Sequence, residues 1–363
     1  MSVIKPKVIA FHLPQFHGIP ENDQWWGKDF TEWDNVKSGV PLFDGHHQPR
    51  IPLHSNYYDL SIQSNMVWQM DLAREYGVYG FCYYHYWFNG KLLLEKPVEL
   101  IREYQGEKLP YCFCWANEPW TRVWTGDSKT ILMNQEYGGQ KEWTNHIDYL
   151  MRFFEDEAYI KIDNKPVMVI YRTSSIPDCD QMIEYWNLRC TEKGFDGIYV
   201  IEEINTFQKE PQCSDSDGVL EFEPLYTVTH KRSILEKLVD KVSTLYINKK
   251  NGITCNYHYR YDAVMKNIIK REGNENPKKK RYLGAFPGWD NTPRKKNNGT
   301  IYHRSSPEKF QYFLEVQMKK AKELESEFVF VNAWNEWSEG AYLEPDETHQ
   351  YQYLEAIKRC VTG

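Results

Sequence analysis

Short apolar runs alternate with longer amphipathic patterns along most of the chain. The runs are rich in β-branched and aromatic residues and show little polar alternation, which is typical of parallel strands buried on both faces. We therefore predict a series of short strands. They cover residues 8–13, 79–84, 111–116, 167–171, 198–202, 218–222, 282–286 and 328–333.

Between these runs, apolar residues recur at the three- and four-residue spacing of an amphipathic helix. The clearest example begins at Pro307, because Ser306 before it can cap the helix and proline suits the first helical turn. The predicted helices cover residues 61–76, 97–104, 142–154, 179–193, 261–270, 307–325 and 348–360.

Eight strands that alternate with helices predict an α/β fold, a single (β/α)8 barrel domain with long βα loops over residues 1–363. A doubly wound sheet is the alternative architecture. That fold usually carries a nucleotide-binding motif, and no G-x-G-x-x-G or phosphate-binding loop follows any of the predicted strands. The pattern therefore favours the barrel.

The chain is unusually rich in aromatic residues, with 13 Trp, 26 Tyr and 17 Phe. A tryptophan-rich core explains this excess as well as a surface that stacks on sugar rings. Position favours the second explanation, because about nine of the tryptophans follow predicted strands, where barrels place their active sites. We therefore expect most of a defined set to border one cavity. The set is Trp26, Trp33, Trp87, Trp115, Trp124, Trp289, Trp334 and Trp337.

Charge and motif content exclude several other classes of protein. The formal net charge of −7 argues against a nucleic-acid partner. The eight cysteines include no C-x-x-C pair, and no H-x-x-x-H motif is present, so we expect neither a metal nor a cofactor. The first residues lack a signal-peptide pattern, and no run approaches the roughly 18 apolar residues of a membrane span. We therefore expect a cytoplasmic protein without a transmembrane segment.

Carboxylates, amides and histidines share the strand ends with the tryptophans. Glycoside chemistry needs one carboxylic acid to protonate the leaving oxygen and a second carboxylate to support the sugar centre or activate a nucleophile. The strongest catalytic pair is Glu336 and Glu339, which follow the last predicted strand in a segment closed by Gly340. Glu118 is the next candidate, with a loop-ordering hydrogen bond as its alternative role.

The remaining candidates are residues that can stack on a sugar or bind its hydroxyl groups. For the histidines a structural hydrogen bond is the alternative, and Asp290 and Arg294 either form an ion pair that shapes their loop or contact the substrate. The candidates for substrate binding are His12, Gln15, Trp26, Trp33, His85, Trp87, Trp115, Asn117, Glu118, Trp124, Glu202, Glu223, Trp289, Asp290, Arg294, Trp334, Asn335 and Trp337.

Five strings along the chain resemble the WbsX family, whose members occur in bacterial O-antigen and polysaccharide gene clusters and are labelled glycosyltransferases. They are LPQFHGIPENDQWWGKDFTEW (13–33), FCYYHYWFNGKLLLEKP (81–97), WANEPWTRVW (115–124), PGWDNTPR (287–294) and NAWNEWSEGAYLEPD (332–346). The resemblance implies an oligosaccharide or polysaccharide substrate, and a lipid-linked glycan is one form that it can take.

The WbsX family is in turn similar to glycoside hydrolase family 99, the endo-α-mannosidases, which are (β/α)8 barrels with an E-W-H-E-G motif near the last strand. The matching string here is E-W-S-E-G at 336–340. By this resemblance Glu339 is the general acid/base, and Glu336 deprotonates the sugar 2-hydroxyl so that O2 attacks C1 and a 1,2-anhydro sugar forms. Ser338 replaces the histidine of that motif, a departure that concerns the aglycone side and the specificity for mannose.

The sequence thus predicts a glycosidase-like enzyme that acts with retention on α-linked sugars of a bacterial surface polysaccharide. Two alternatives stay open. One is a glycosyltransferase of lipopolysaccharide O-antigen biosynthesis that uses an activated donor, and the other is a non-catalytic glycan-binding barrel. The lack of a nucleotide-binding motif favours glycosidase-like chemistry over the first alternative.

Overall fold

Eight parallel strands close into a barrel in this computed structural model, which describes residues 5–121, 130–272 and 279–362. Neighbours in the barrel are neighbours in the chain, and β1 pairs with both β2 and β8 to complete the ring. The predicted (β/α)8 barrel is confirmed, with each predicted strand at its expected place. The strands are β1 (Lys7–His12), β2 (Gly80–Phe88), β3 (Tyr111–Trp115), β4 (Lys165–Ile170), β5 (Tyr199–Ile204), β6 (Gly218–Glu221), β7 (Lys280–Ala285) and β8 (Phe328–Val331).

Helices follow the strands and cover the outside of the barrel. Each predicted helix is present within a few residues, and α10 begins as expected, because the Ser306 hydroxyl accepts a hydrogen bond from Lys309 N. The helices are α1 (Pro20–Trp26), α2 (Glu32–Lys37), α3 (Gln63–Glu75), α4 (Lys96–Glu103), α5 (Gln140–Phe154), α6 (Cys179–Glu192), α7 (Ile234–Asn251), α8 (Tyr261–Lys270), α9 (Thr292–Lys295), α10 (Pro307–Glu323) and α11 (Gln352–Thr362).

The helix α7, inserted between β6 and β7, was not predicted. Its start carries a sequence signal, because Ser233 and Glu236 form a capping box in which each side chain accepts from the other's backbone N–H. Gly252 ends the helix with a φ of 67°, a left-handed conformation that glycine adopts readily. The apolar residues of α7 do not face the core, since Ile234, Leu238 and Val242 are all exposed.

Short strands and helical turns lie in the segments that connect the elements of the barrel. Within the described residues, five short pairs form outside the ring: Lys91–Leu93 with the end of β2, Trp120–Thr121 with Ile131–Met133, Lys161–Ile162 with β4, Tyr257–Arg260 with Thr300–His303, and Asn335–Glu336 with Ala341–Tyr342. Single helical turns occur at Leu53–Ser55, Thr173–Ser175, Lys296–Asn298 and Trp337–Glu339, and a π-helical turn occurs at Thr227–Lys231.

Aromatic side chains fill the interior of the barrel. The ring of Phe11 on β1 lies 5.2 Å from that of Phe222 and 5.8 Å from that of Phe330 on β8, measured between centroids. Large aromatic residues bury much apolar area in a small space, so this packing stabilises the closed ring strongly. In the described part of the chain, no helix is long and apolar enough to span a membrane.

Candidate active site

A cavity of about 1170 Å³ opens at the carboxyl ends of the barrel strands. Strand ends and the loops that follow them form one side of it, and α7 with the Tyr257–Arg260 and Thr300–His303 strands forms another. On the barrel side the lining residues include Tyr84, Tyr86, Ala116, Glu118, Tyr171, Phe222, Trp289, Arg294, Asn332, Glu336 and Glu339. The cavity therefore lies where a (β/α)8 barrel places its chemistry.

Both predicted catalytic glutamates border this cavity. After β8 the chain forms a tight turn over Trp337–Glu339, flanked by the antiparallel pair Asn335–Glu336 and Ala341–Tyr342. Gly340 has a φ of 62°, and a Cβ atom there would lie 2.9 Å from Asp290 N. Asp290 N donates to the Glu339 carbonyl across 2.7 Å. The loop after β7 therefore holds the turn that carries the two carboxyl groups.

A single guanidinium group joins three carboxylates beside the cavity. Arg294 Nη1 donates to Glu339 Oε1 at 2.6 Å, and Nη2 donates to Glu336 Oε2 at 3.1 Å. Arg294 Nε donates to Glu32 Oε1 at 2.7 Å. The planar fork of arginine suits such bidentate contacts, so Arg294 sets the positions of Glu336 and Glu339 relative to each other.

The burial of this cluster shifts its ionisation. Burial raises the pKa of Glu336 to about 8, and the carboxylates of Glu339 and Glu32 add to this rise, although Arg294 opposes it. Burial also raises the pKa of Glu32 despite its contact with Arg294. Burial disfavours the charge of Arg294, but the three carboxylates outweigh that effect and raise its pKa. The arrangement holds a permanent cation next to a carboxyl group that titrates near neutral pH.

Glu32 was missed by the sequence analysis. It occupies the first turn of α2, is fully buried, and accepts a hydrogen bond from the Ser338 hydroxyl as well as from Arg294. Ser338 is itself fully buried and does not border the cavity. Ser338 therefore belongs to the packing behind the carboxylates. The one local signal for Glu32 is its place between Thr31 and Trp33 in a motif string.

The expectation that most of the selected tryptophans border one cavity is wrong. Of the seven that the structure describes, Trp26 and Trp289 border it; Trp124 lies outside the described residues. The other five are buried in the packing around it and make no contact with the cavity: Trp33, Trp87, Trp115, Trp334 and Trp337.

The buried tryptophans serve the fold through their ring nitrogens. Trp33 Nε1 donates to the Tyr58 carbonyl at 2.8 Å, and Trp87 Nε1 donates to Glu142 Oε1 at 2.7 Å. Trp337 Nε1 donates to Glu344 Oε2 at 2.6 Å. Tyrosine and phenylalanine instead provide most of the aromatic lining, together with Trp26, Trp120 and Trp289. The tyrosines and phenylalanines that line the cavity are Tyr84, Tyr86, Tyr171, Phe207, Phe222, Tyr257, Tyr259 and Tyr302.

Several predicted polar residues lie in structural hydrogen bonds and do not border the cavity. His12 Nε2 lies 2.9 Å from Gln69 Oε1, and burial lowers the pKa of His12 to about 4. His85 pairs with His146 at 2.9 Å between the two Nε2 atoms. Gln15 is also buried away from the cavity. Both His12 and His85 therefore make the structural hydrogen bonds that were the alternative to substrate binding.

Two predicted asparagines tie loops together. Asn335 Oδ1 accepts from Leu13 N at 2.7 Å, which joins the ends of β8 and β1. Asn117 Nδ2 donates to the Arg172 carbonyl at 2.8 Å, and Asn117 Oδ1 accepts from Arg172 N at the same distance. Both asparagines are fully buried and neither borders the cavity.

Glu202 organises the loop between β5 and β6 and does not border the cavity. It accepts from Thr173 Oγ1 at 2.6 Å and from Gln212 N at 2.7 Å. Next to it, Cys213 forms a disulfide with Cys179 at the start of α6, with 6.1 Å between their Cα atoms. These contacts position the loop that carries Thr206 and Phe207 on the cavity wall.

Glu223 and Asp290 also have partners away from the cavity. Glu223 Oε1 lies 2.6 Å from Arg271 Nη2. Asp290 Oδ2 lies 2.8 Å from His46 Nε2, and its contacts keep the pKa of this carboxyl low, at about 2, against the opposing effect of burial. Its charged partners thus lie in the loop between α2 and α3, and among the described residues Asp290 forms no ion pair with Arg294.

Glu118 borders the cavity and pairs with Arg172, with 2.9 Å between Glu118 Oε1 and Arg172 Nη1. Burial raises the pKa of Glu118, and the nearby guanidinium opposes that rise. Among the predicted residues, the structure brings together Glu118, Arg294, Glu336 and Glu339 with two of the tryptophans, Trp26 and Trp289.

Solved structures with a similar fold include glycoside hydrolases. A protein described as glycoside hydrolase-like aligns with a TM-score of 0.61 at 13% identity, covering 99% of this chain and 95% of the other. The GH99 endo-α-mannosidase from Bacteroides thetaiotaomicron aligns with a TM-score of 0.55 at 13% identity, covering 98% and 96%. At this identity the likeness is one of fold.

Sequence relatives are nearer. The uncharacterized protein WxcX from two strains of Xanthomonas campestris pv. campestris is 35% identical over 360 residues, which is 98% of this chain. The chain spans about half the length of these relatives, 49% in each. The family described as glycosyltransferase WbsX matches residues 8–357. The chain therefore belongs to the WbsX glycosyltransferase family.

Proposed function

We propose that the cavity is the active site of a carbohydrate-active enzyme that acts with retention on α-linked sugars through a 1,2-anhydro sugar intermediate. One observation carries this proposal. Glu336 and Glu339 both border the cavity and are bridged by Arg294, and the pKa of Glu336 lies near 8. A carboxyl group with a pKa close to the working pH is suited to general base catalysis.

The two glutamates divide the proton transfers between them. Glu336 takes the proton of the sugar 2-hydroxyl while O2 attacks C1, and Glu339 gives its proton to the departing glycosidic oxygen. In the second step Glu339 takes a proton from the incoming water or sugar hydroxyl as it attacks C1, and Glu336 returns its proton to O2. This route retains the anomeric configuration without a covalent bond between sugar and protein, unlike the usual scheme with a carboxylate nucleophile.

Arg294 and Glu32 act as positioning residues in this mechanism. Arg294 holds both reacting carboxyl groups in fixed places, and Glu32 holds Arg294 from the buried side. Fixed geometry of this kind lowers the barrier because the reacting groups need not be ordered during the reaction. Since Glu32 and Ser338 lie behind the cavity wall, neither needs to contact the sugar.

The size and lining of the cavity support a substrate longer than one sugar. Its volume of about 1170 Å³ exceeds the roughly 300–1,000 Å³ of typical small-molecule sites. Tyr86, Trp120 and Trp289 line the same cavity as the two glutamates, and aromatic faces stack on the apolar side of pyranose rings. Membership of the WbsX family supports a bacterial surface polysaccharide, such as O-antigen, as the substrate.

A second candidate, transfer from an activated donor, is favoured by a separate feature of the cavity. Lys237 and Lys241 of α7, together with Lys295, also line it. Ammonium groups bind phosphate, so this side of the cavity suits the diphosphate of an activated sugar. The family description as a glycosyltransferase supports the same candidate.

An assay with two kinds of substrate separates these candidates. The purified chain is incubated either with a panel of α-linked oligosaccharides or with nucleotide sugars and a glycan acceptor. We expect release or transfer of sugar from the first group. Glu339→Gln should lower turnover at least ~100-fold while glycan affinity is retained. Glu210→Gln, at a side chain that is 73% exposed, is the matched control.

Other outcomes would overturn the proposal. Turnover with nucleotide sugars that Glu339→Gln leaves unchanged would replace it with the second candidate. Glycan binding without turnover in the unmodified chain, under conditions where both substrate groups are tested, would indicate a binding protein.

A further inference from the structure

The helix α7 exposes its apolar side to solvent. Seven large apolar side chains on this one helix are between 55% and 88% exposed, which is far more than scattered surface residues would explain. They are Ile234, Leu235, Leu238, Val239, Val242, Leu245 and Tyr246. Together they form the apolar face of α7.

The opposite side of α7 is polar and packs against the protein. Asp240 Oδ2 lies 2.7 Å from Arg232 Nη2, Thr244 Oγ1 accepts from His258 N at 3.0 Å, and Asn248 Nδ2 donates to the Cys255 carbonyl at 2.8 Å. An amphipathic helix on a water-facing surface normally has the reverse orientation. The apolar face of α7 is therefore built for a covering that is itself apolar.

The shape of this face favours a broad surface over a second helix. At 3.6 residues per turn, the seven residues cover an arc of about 140°. A coiled-coil partner would need a narrower seam of two positions per heptad. A helix lying in the plane of a bilayer buries an arc of this width in the head-group region.

Charge along α7 suits an anionic surface. Lys241 and Lys250 flank the two edges of the apolar face, and Lys249 lies at its carboxyl-terminal end, all of them exposed. The carboxylates of the helix are engaged elsewhere, since Glu236 caps it and Asp240 pairs with Arg232. The helix thus presents cations around its apolar face although the whole chain has a formal charge of −7.

We propose that α7 binds the surface of an anionic lipid bilayer, with its apolar face inserted among the head groups and its lysines on the lipid phosphates. Leu245 belongs to the apolar face and also borders the cavity. The neighbouring Lys237 and Lys241 border the cavity as well. Bound in this way, the protein holds its cavity beside the membrane, where a glycan attached to a lipid can enter it. Membrane binding itself does not depend on the reaction proposed above.

Vesicle flotation tests this inference. The full chain is mixed with vesicles of phosphatidylcholine alone, or with vesicles that also contain about 30% phosphatidylglycerol. The second kind carries the negative surface charge of an anionic leaflet. We expect binding to the anionic vesicles that weakens in high salt. Val242→Glu should reduce the bound fraction at least tenfold, and Lys249→Glu should reduce it several-fold. Leu188→Glu on α6, at a side chain that is 57% exposed, is the matched control and should bind like the unmodified chain.

Folding is checked by the melting temperature of each variant, and the milder Val242→Ser should weaken binding in the same direction. Absence of binding to both kinds of vesicle would overturn the proposal. A dimer in light scattering that Val242→Glu dissociates, without vesicle binding, would assign the apolar face to a second copy of the chain and would equally overturn it. Turnover is measured separately, on soluble oligosaccharides, so that the proposed catalysis and the proposed membrane binding can each be refuted without the other.

Discussion

Arg294 Nη1 lies 2.6 Å from Glu339 Oε1, across 45 residues of chain. The same guanidinium reaches Glu336 with its second nitrogen and Glu32 with its third. Because one cation holds three buried carboxyl groups, a change in any of them alters the ionisation of the others. This coupling leads to several of the predictions that follow.

The activity should rise with pH through about 8. Glu336 acts as a base in the proposed mechanism, and its pKa near 8 means that the carboxyl is mostly protonated at neutral pH. We expect the rising limb of the kcat/KM profile to have its midpoint near this pKa. Glu336→Gln should abolish the rise, and Glu210→Gln should leave it in place. A profile that falls between pH 6 and pH 8 would contradict this role for Glu336.

Arg294→Lys should reduce kcat more than it changes KM. Lysine keeps the positive charge, but its single nitrogen cannot span Glu336, Glu339 and Glu32. We expect kcat to fall on the order of 100-fold, because the two reacting carboxyl groups lose their fixed geometry. The rising limb of the pH profile should also move to higher pH, since Arg294 lowers the pKa of Glu336. An unchanged limb together with an unchanged kcat would show that Arg294 does not position the pair.

Ser338→His should destabilise the fold rather than confer mannosidase activity. Ser338 is fully buried and donates to Glu32, so an imidazole ring there must displace its neighbours. Overpacking of this kind costs about 1–3 kcal/mol. Urea unfolding measures the loss, and Ser338→Ala separates the loss of the hydrogen bond from the effect of the added volume. Equal stability of Ser338→His and the unmodified chain would mean that the site has room for the ring.

Trp26 and Trp87 should respond differently to removal of their rings. Trp26 borders the cavity, so Trp26→Ala should raise KM for a glycan about tenfold, which is the loss of about 1.4 kcal/mol of stacking. Trp87 is buried and bonded to Glu142, so Trp87→Ala should lower the free energy of unfolding by about 3 kcal/mol with little effect on KM. Steady-state kinetics and urea unfolding of both variants test this contrast, and the reverse pattern would refute it.

Glu344 should make the fold less stable as the pH rises. Burial raises its pKa to about 7, although hydrogen bonds from Trp337, Tyr58 and Gln69 oppose the rise. Because the folded-state pKa lies above the ordinary value, the stabilisation is fully present below about pH 4.5 and is lost as the pH increases through 7. The loss amounts to about 3 kcal/mol at most.

The test of Glu344 compares urea unfolding at pH 5 and pH 8. Other buried carboxyl groups add to the same trend, so the informative quantity is the difference between the unmodified chain and Glu344→Gln. We expect Glu344→Gln to flatten the decline, whereas Glu210→Gln should keep it. An identical decline in Glu344→Gln and the unmodified chain would show that Glu344 does not carry it.

The sequence by itself determined the barrel and singled out Glu336 and Glu339 as the candidate catalytic pair. Strands such as Phe328–Val331 are continuous apolar runs, and this local pattern survives in the fold because both faces of a barrel strand are buried. Glu336 and Glu339 were found because a short motif follows directly after a strand, and strand ends in a barrel converge on one site. For α7 the capping box of Ser233 was present in the sequence, but the outward direction of its apolar residues was decided by the tertiary structure.

Only the tertiary structure decided which of the residues near the strand ends face the cavity. Trp33 and Trp337 follow strands as Trp26 does, yet they point into the packing, since the direction of a side chain after a strand depends on loops that pack across long distances in the chain. Glu32 joins Arg294 from 262 residues away, and no local pattern encodes such a contact. The sequence shows which residues follow a strand, whereas the burial of a side chain and its hydrogen-bond partners depend on how distant segments of the chain pack together.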